Sequence, residues 1–253
     1  MNEFLHPDRH VDLEGSSNIR DLGGYTTRDG NQTRWGIFLR SGQMHRIPAR
    51  SMDELVTRGI RTVVDLRMTA ETESEPNVFA GSKVVRYFHV NVMGDEWMET
   101  ASVSKKMGST SDKMLLLYGV ILDQRRDFVR EVLDILSRRD HRPALYHCSA
   151  GKDRTGIISA LLLGLAGASA ETIAGDYALS ARYLVRRYRE EILGGEESSP
   201  CTWEDAQREW CPPERMLEMM SYLEREHGGI ERYVRATGLR SDQVASLRGA
   251  LVG

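Results

Sequence analysis

The stretch that most constrains this chain is His147 to Gly156, HCSAGKDRTG. An apolar run, Ala144 to Tyr146, leads into a cysteine. Arg154 closes the motif, and Thr155, Gly156 and the helical pattern Ile157, Ile158, Leu161, Leu162, Leu165 follow. The segment therefore reads as strand, tight loop, helix. A loop of about seven residues at a helix start can aim several backbone N–H groups at one centre, where they and the positive end of the helix dipole hold an anion. Cys148 stands at that focus. A thiol at a helix N-terminus beside a cation falls from a pKa of about 8.5 to roughly 3.5–7.5 and rests as the thiolate. Arg154 offers a planar fork suited to two phosphate oxygens. Thr155 is a candidate hydroxyl donor to the sulfur, and His147 a candidate to orient the loop through its ring nitrogens. The pattern predicts a phosphate cradle built from Ser149, Ala150, Gly151, Lys152, Asp153 and Arg154 around the nucleophile Cys148. The plainer alternative is a buried structural cysteine behind a helix-capping loop.

HCSAGKDRTG resembles the active-site motif of the cysteine-dependent protein tyrosine phosphatase superfamily, Cys, any five, Arg. Lys152 and Asp153 within the loop, with SNIRDLGGY at 17–25, are similar to the bacterial branch of tyrosine and phosphoinositide phosphatases. The likeness runs over most of the chain, from NIRDLGGY to the closing GGIERYVRATGLRSDQVASLRGALVG. It implies an α/β fold with a central, mostly parallel sheet flanked by helices, a helical lid insertion at about 95–125 and a helical C-terminal part at about 169–253, all in a single domain.

Size and composition allow this. A chain of 253 residues can bury a full core. With 40% hydrophobic and 28% charged residues it has globular composition, and a net charge of -3 gives no basic footprint for nucleic acid. Selectivity for an anion then falls to a local pocket. Three cysteines, Cys148, Cys201 and Cys211, fit a reducing compartment better than a disulfide framework. Cys201 and Cys211 lack metal-ligand spacing and read as inert, with redox protection of the active thiol as the other possibility. The polar start MNEFLHPDRHVDLEG lacks a secretory signal, and the apolar run 156–170 is too short to span a bilayer. The expectation is a cytoplasmic protein without stable membrane insertion, with export by a signal-less route left open.

Along the chain, Asn18, Arg20 and Asp21 precede two glycines. They read as a corner held by an internal Arg–Asp pair, while the resemblance suggests that Arg20 or Asp21 braces the active-site floor. WGIFLR at 35–40 alternates like a strand. Ser51 with Glu54 suggests a capping box opening a helix that ends at Gly59. RTVVDL and VVRYFHVNV read as strands, and strand, helix and strand in sequence argue for an α/β layer. Asp65 and Arg67 are expected to pair at a strand end. Residues 69–77, TAETESEPN, read as an acidic solvated turn. In MLLLYGVILDQRRDFVREVLDILSRR, one apolar face carries Val129, Val132, Leu133 and Leu136. The surplus of Met114, Leu115, Leu116, Leu117 and Tyr118 fits a lid or plain core packing. Ser169 and Ser241 read as helix caps, and Gly228, Gly229 and Gly238 as breaks. Arg182, Arg186, Arg187 and Arg189 mark a basic helix face, either simply solvated or suited to an acidic surface such as an anionic membrane.

The predicted chemistry is phosphate monoester hydrolysis through a phosphocysteine, with no metal or cofactor. Its substrates would be phosphotyrosine proteins, and also phosphoserine, phosphothreonine or phosphoinositides; a free phosphate ion would sit in the same cradle. Asp153, which the resemblance favours, and Asp95, on the loop after the strand at 84–92, are rival general acids. Lys152 either meets additional phosphates of an inositol ring or points to solvent. Two other readings compete: a phosphate-binding pseudophosphatase that recognises phosphoproteins without turnover, and another thiolate enzyme such as an arsenate reductase or sulfurtransferase. Retention of Cys148, Arg154 and two acid candidates weighs against the first. The lack of a visibly placed resolving cysteine weighs against an arsenate reductase.

Overall fold

The computed structural model of the chain describes residues 3–95, 113–192 and 202–252. Five short strands, β1 (Arg20–Asp21), β2 (Phe38–Ser41), β3 (Thr62–Asp65), β4 (Arg86–His89) and β5 (Ala144–His147), form one sheet in the order β1-β2-β5-β3-β4. Only β1 runs antiparallel to its neighbour. Around and after the strands come α1 (Ala49–Thr57), α2 (Thr69–Ser74), α3 (Lys113–Gln124), α4 (Arg126–Ser137), α5 (Asp153–Leu165) and α6 (Ala170–Ala178). The chain continues through α7 (Ser180–Ile192), α8 (Trp203–Trp210), α9 (Pro213–His227), α10 (Ile230–Ala236) and α11 (Ser241–Val252). This is the α/β fold expected, a mostly parallel sheet with flanking helices and a helical C-terminal part.

The register decides where a site can form. His147 at the end of β5 is level with Ser41 of β2 and Asp65 of β3, so the loops leaving three parallel strands emerge side by side. The carboxyl edge of an open sheet is where such loops meet ligands. Side-chain alternation feeds two cores. Val63 and Leu145 pack with Leu55 and Ile60 on one face, while Val64 and Tyr146 pack with α3, α4 and α5 on the other. Helix α5 buries nearly every side, Ile157, Ile158, Leu161, Leu162 and Leu165 included, as a helix without a polar face must. On α4 the predicted stripe of Val129, Val132, Leu133 and Leu136 is fully buried.

Several local expectations are corrected. The strand expected at 35–40 starts only at Phe38, because Asp21 accepts a hydrogen bond from the Gly36 amide and holds a turn there (2.7 Å). Ser51 does not cap α1. It lies inside the helix and donates its hydroxyl to the Glu14 carbonyl, while the helix ends at Thr57. Arg20 is not paired with Asp21; its counter-charge is Asp176, and Asp21 instead accepts the amides of Gly23 and Gly36. Ser169 does cap α6, accepting the Thr172 amide. Ser241 is the first residue of α11, and the Gln243 side chain accepts the preceding Arg240 amide instead. Of the segment expected to form a lid, α3 packs Leu115, Leu117 and Tyr118 into the core, and residues 96–112 lie outside the described residues. Among the described residues no helix is long and apolar enough to cross a membrane.

Candidate active site

The loop from Cys148 to Lys152 joins β5 to α5. Its carbonyls are all engaged. His147 Nδ1 lies 3.1 Å from the Cys148 carbonyl, and the Ser149 carbonyl accepts from the Gln43 amide (2.9 Å) and Arg187 Nη1 (3.1 Å). Asn18 Nδ2 donates to the carbonyls of Ala150 and Gly151 at 2.9 Å each. Arg40 Nη2 donates to Gly151 (2.7 Å) and Lys152 (3.3 Å). In a trans peptide the N–H points opposite to the C=O. Carbonyls bound to the surrounding shell therefore turn the amides of residues 149–153 toward the loop's centre, beside the N-terminus of α5, a geometry that binds anions. Gly151 takes φ +68°, and a Cβ there would collide with the Ser41 carbonyl, so the close approach of β2 to the loop requires glycine.

Beneath the loop lies a buried ionic network. Asp176 on α6 receives Arg20 Nε (2.9 Å), Arg40 Nη1 (2.5 Å) and the Tyr25 hydroxyl (2.8 Å). Arg20 also donates to Asn18 Oδ1, fixing the amide that grips Ala150 and Gly151. Burial opposes ionisation of Asp176, but Arg20 and Arg40 outweigh it and hold the carboxyl well below the usual range. Two guanidiniums against one carboxylate leave a cationic surplus under the cradle. The sequence reading that Arg20 braces the floor therefore has a route, through Asn18.

His147 is buried on the β3 side, with Nε2 2.7 Å from Asn77 Nδ2 and 3.4 Å from Asp65. Asp65 pairs with Arg67 at 2.7 Å, as the sequence suggested. Although burial opposes its ionisation, His147 and Arg67 hold Asp65 far below the ordinary carboxylate range.

Cys148 is buried within the loop. Arg154, the second residue of α5, meets a residue that sequence reasoning missed. Glu71 on α2 accepts from Arg154 Nη1 (2.5 Å) and Nη2 (3.1 Å), from the Ser149 hydroxyl, and from the Met68 amide (2.8 Å). Burial alone would raise the Glu71 pKa, yet Arg154 and Ser149 bring it down to about 2. Residues 69–77 are thus not a solvated turn, because α2 occupies 69–74 and delivers a carboxylate to the cradle. The available signal was Glu71 three residues past Met68, opening a helix just after β3.

Asp153 receives the hydroxyls of Tyr118 (2.7 Å) from α3 and Tyr177 (3.3 Å) from α6, and lies 3.4 Å from Lys152 Nζ. Burial, and then the Asp153 charge, push both phenols well above their usual pKa, so they stay protonated donors. The structure puts Asp95 elsewhere. It is exposed and accepts from the Thr69 amide (3.3 Å) and hydroxyl (2.9 Å) and from Asn91 (2.8 Å), bracing the start of α2. Lys152 is neither at a rim nor in solvent. It is buried, donates to the Trp210 carbonyl at 3.0 Å, and sits 4.6 Å from the Trp210 ring centroid. The Thr155 hydroxyl, expected on the sulfur, is buried without a hydrogen-bond partner among the described residues. Cys211 is fully buried, and burial pushes its thiol up to about 12; Cys201 lies outside the described residues. Among the described residues no three His, Cys, Asp or Glu side chains are grouped to hold a metal.

Known proteins with this pattern agree in kind. A sequence model described as tyrosine phosphatase family matches residues 11–253. A tyrosine-protein phosphatase of Nostoc commune is 27% identical over 216 residues, covering 83% of this chain and 72% of that protein. A putative tyrosine-protein phosphatase of Cupriavidus necator is 30% identical over 168 residues, with 64% and 59% covered. The triple specificity protein phosphatase PtpB of Mycobacterium tuberculosis is 31% identical, with 96% of this chain and 99% of that protein aligned.

Proposed function

From the premise that this chain belongs to the tyrosine phosphatase family, a cysteine-dependent group of phosphomonoester hydrolases, we propose that Cys148, Arg154 and Asp153 carry its reaction. The observation that carries this reading is the ring of pinned carbonyls from Cys148 to Lys152, which turns the loop amides toward the space above the thiol. Phosphoryl oxygens held there gain most when charge builds on them in the transition state, and Arg154 adds a fixed guanidinium to the same centre.

In the first step the Cys148 thiolate attacks phosphorus. The S–P bond forms as the P–O bond to the leaving group breaks, and Asp153 gives its proton to the departing oxygen. In the second step water attacks phosphorus, Asp153 takes back a proton, and the S–P bond breaks to release inorganic phosphate and restore the thiolate. Ser149, Ala150, Gly151 and Lys152 contribute amides, and the Lys152 side chain helps hold Asp153 against α8. Phosphotyrosine proteins are the substrates this reading favours. The near full-length alignment with a relative named for triple specificity supports activity beyond phosphotyrosine, for which phosphoserine, phosphothreonine and phosphoinositides are this reading's candidates. The buried Lys152 does not add to the lipid case, since its ammonium is already taken by Trp210.

Phosphate release from a phosphotyrosine peptide and from a phosphatidylinositol monophosphate, in chelator, tests this, with Cys148→Ser as control. Turnover that vanishes in the control, with a phosphorylated Cys148 trapped by acid quench and mass spectrometry, is the expected result. Phosphate binding without turnover of any substrate would overturn it in favour of a binding protein.

A further inference from the structure

The two oxygens of Asp153 are not equivalent. Oδ1 accepts the hydroxyls of Tyr118 at 2.7 Å and Tyr177 at 3.3 Å, while Oδ2 accepts no hydrogen bond among the described residues and lies 3.4 Å from Lys152 Nζ. A contact of 3.3 Å is long for a hydroxyl, so a further group is needed to aim the Tyr177 hydrogen. Arg215, the third residue of α9, supplies it. Its Nη1 lies 2.9 Å from the Tyr177 oxygen and 2.9 Å from the Trp210 carbonyl, which also takes Lys152 Nζ at 3.0 Å. A guanidinium only donates. The Tyr177 oxygen therefore accepts from Arg215, and its one hydrogen goes outward, to Oδ1 or to the neighbouring Tyr118 oxygen. The second route commits the Tyr118 hydrogen to Oδ1, so both routes end there. Tyr177 keeps its hydrogen, because burial and then the Asp153 charge outweigh the pull of Arg215 toward the phenolate.

We propose that Arg215 is a positioning residue for the acid, acting through Tyr177 to keep Oδ1 an acceptor and so make Oδ2 the oxygen that carries the proton. The proposal rests on the reading above that Asp153 is the acid. A proton placed on Oδ1 would face the donors already pointed at it, whereas Oδ2 has its lone pairs open. In formation of the phosphocysteine, the Oδ2–H bond breaks as its proton passes to the departing oxygen. When water then attacks phosphorus, the proton it sheds returns to Oδ2. The placement of Arg215 is costly for stability alone. Its side chain is buried, and it stands in the first turn of a helix, where the dipole favours anions. A residue that breaks a local rule in this way is expected where function requires it.

The test uses two esters, phenyl phosphate, whose leaving group needs a proton, and para-nitrophenyl phosphate, whose leaving group departs without one. Both are read as kcat/KM, which covers formation of the phosphocysteine. In Arg215→Met the value for phenyl phosphate is expected to fall roughly tenfold, part of the roughly hundredfold cost of losing an acid, and that for the nitrophenyl ester by less than about twofold. Both esters are measured on one preparation, so their ratio does not depend on how much of a variant is folded. Tyr177→Phe should show the same selective loss, and the double variant should lose no more than either single one. Arg215→Lys keeps a cationic donor and should recover most of the ratio. Equal losses on the two esters in Arg215→Met overturn the proposal, because a structural role lowers both alike. Losses that multiply in the double variant also overturn it, since Arg215 would then act by a path other than Tyr177. Asp153→Ala tests the underlying reading. A selective loss there with none in Arg215→Met leaves the acid assignment standing and removes Arg215 alone. No selective loss in Asp153→Ala, or no turnover of either ester by the wild type, overturns that reading and this one with it.

Discussion

Glu71 on α2 and Arg154 on α5 form a bidentate ion pair, Nη1 to Oε2 at 2.5 Å and Nη2 to Oε1 at 3.1 Å, with Ser149 bound to the same carboxylate. A guanidinium has five N–H donors. This pair uses two, leaving three for phosphoryl oxygens, so Glu71 can fix the fork without consuming it. The guanidinium proposed to bind the anion is thereby oriented before substrate arrives, which is how a positioned cation is worth more than a mobile one.

Replacing Glu71 with Gln keeps the shape and removes the charge. We expect kcat/KM on an aryl phosphate to fall by roughly ten- to a hundredfold, the cost of loosening a positioning contact. The stability effect has a definite sign. The folded-state pKa of about 2 lies below the ordinary 4.5, so Glu71 contributes stability above the ordinary range and loses it as pH drops from about 4.5 toward 2. Discounted for the partial exposure of the carboxylate, that contribution is about 1 kcal/mol. Urea unfolding of wild type and variant should show this gap at pH 7 and show it closing in strong acid; a gap that widens in acid would contradict the pairing.

Asp153 and Asp95 are separated by their surroundings. Asp153 opens α5 directly after the loop and accepts two tyrosine hydroxyls, whereas Asp95 is spent on Thr69 and Asn91. Asp153→Ala should lower kcat on an aryl phosphate by about 10² or more, the usual scale for a lost general acid. Asp95→Ala should change it by less than about threefold, since an exposed helix brace is worth only about 1 kcal/mol. The reverse ranking of the two variants would move the acid to the loop after β4.

How much of this could be read in the sequence follows from the distance over which each contact acts. Strand, loop and helix around Cys148 are contiguous, so their succession was legible. The Asp65–Arg67 pair, two residues apart, was legible for the same reason. Glu71 reaches a partner 83 residues away, amid other acidic residues that resemble a solvated run, and its one local signal, the place three residues past Met68, marks a helix start and says nothing of Arg154. Arg20 was assigned its chain neighbour Asp21, but its counter-charge lies 156 residues on. Lys152 likewise looked exposed until α8, 58 residues later, closed over it. Surplus apolar residues on α3 could not choose between a cover and the core, because both need the same side chains.

The Asp176 network predicts a large effect from a small change. Asp176→Asn leaves two buried guanidiniums, Arg20 and Arg40, without their carboxylate and turns an N–H toward one of them. Breaking a buried pair of this kind costs about 3–5 kcal/mol. Urea unfolding at pH 7 should report a loss on that scale, with activity falling further than for a surface variant because Arg40 and Asn18 then release the Gly151 and Ala150 carbonyls. A loss under about 1 kcal/mol would mean that the arginines are satisfied by the carbonyls alone.

Cys211 should stay silent while Cys148 reacts. Cys211 is buried with a thiol pushed up to about 12, so at neutral pH it holds almost no thiolate, the form that alkylates. Cys148 lies in the loop proposed to hold anions, and an anionic alkylating agent such as iodoacetate should be drawn into it as phosphate would be. Peptide mapping after brief iodoacetate treatment of the native chain should find Cys148 modified and Cys211 intact, and inorganic phosphate should slow the reaction at Cys148 by occupying the loop. In urea both cysteines should label, and phosphate should protect neither. Labelling of Cys148 that phosphate leaves unchanged in the native chain would show that the amides of residues 149–153 do not converge on an anion, and the proposed mechanism would fall with that geometry.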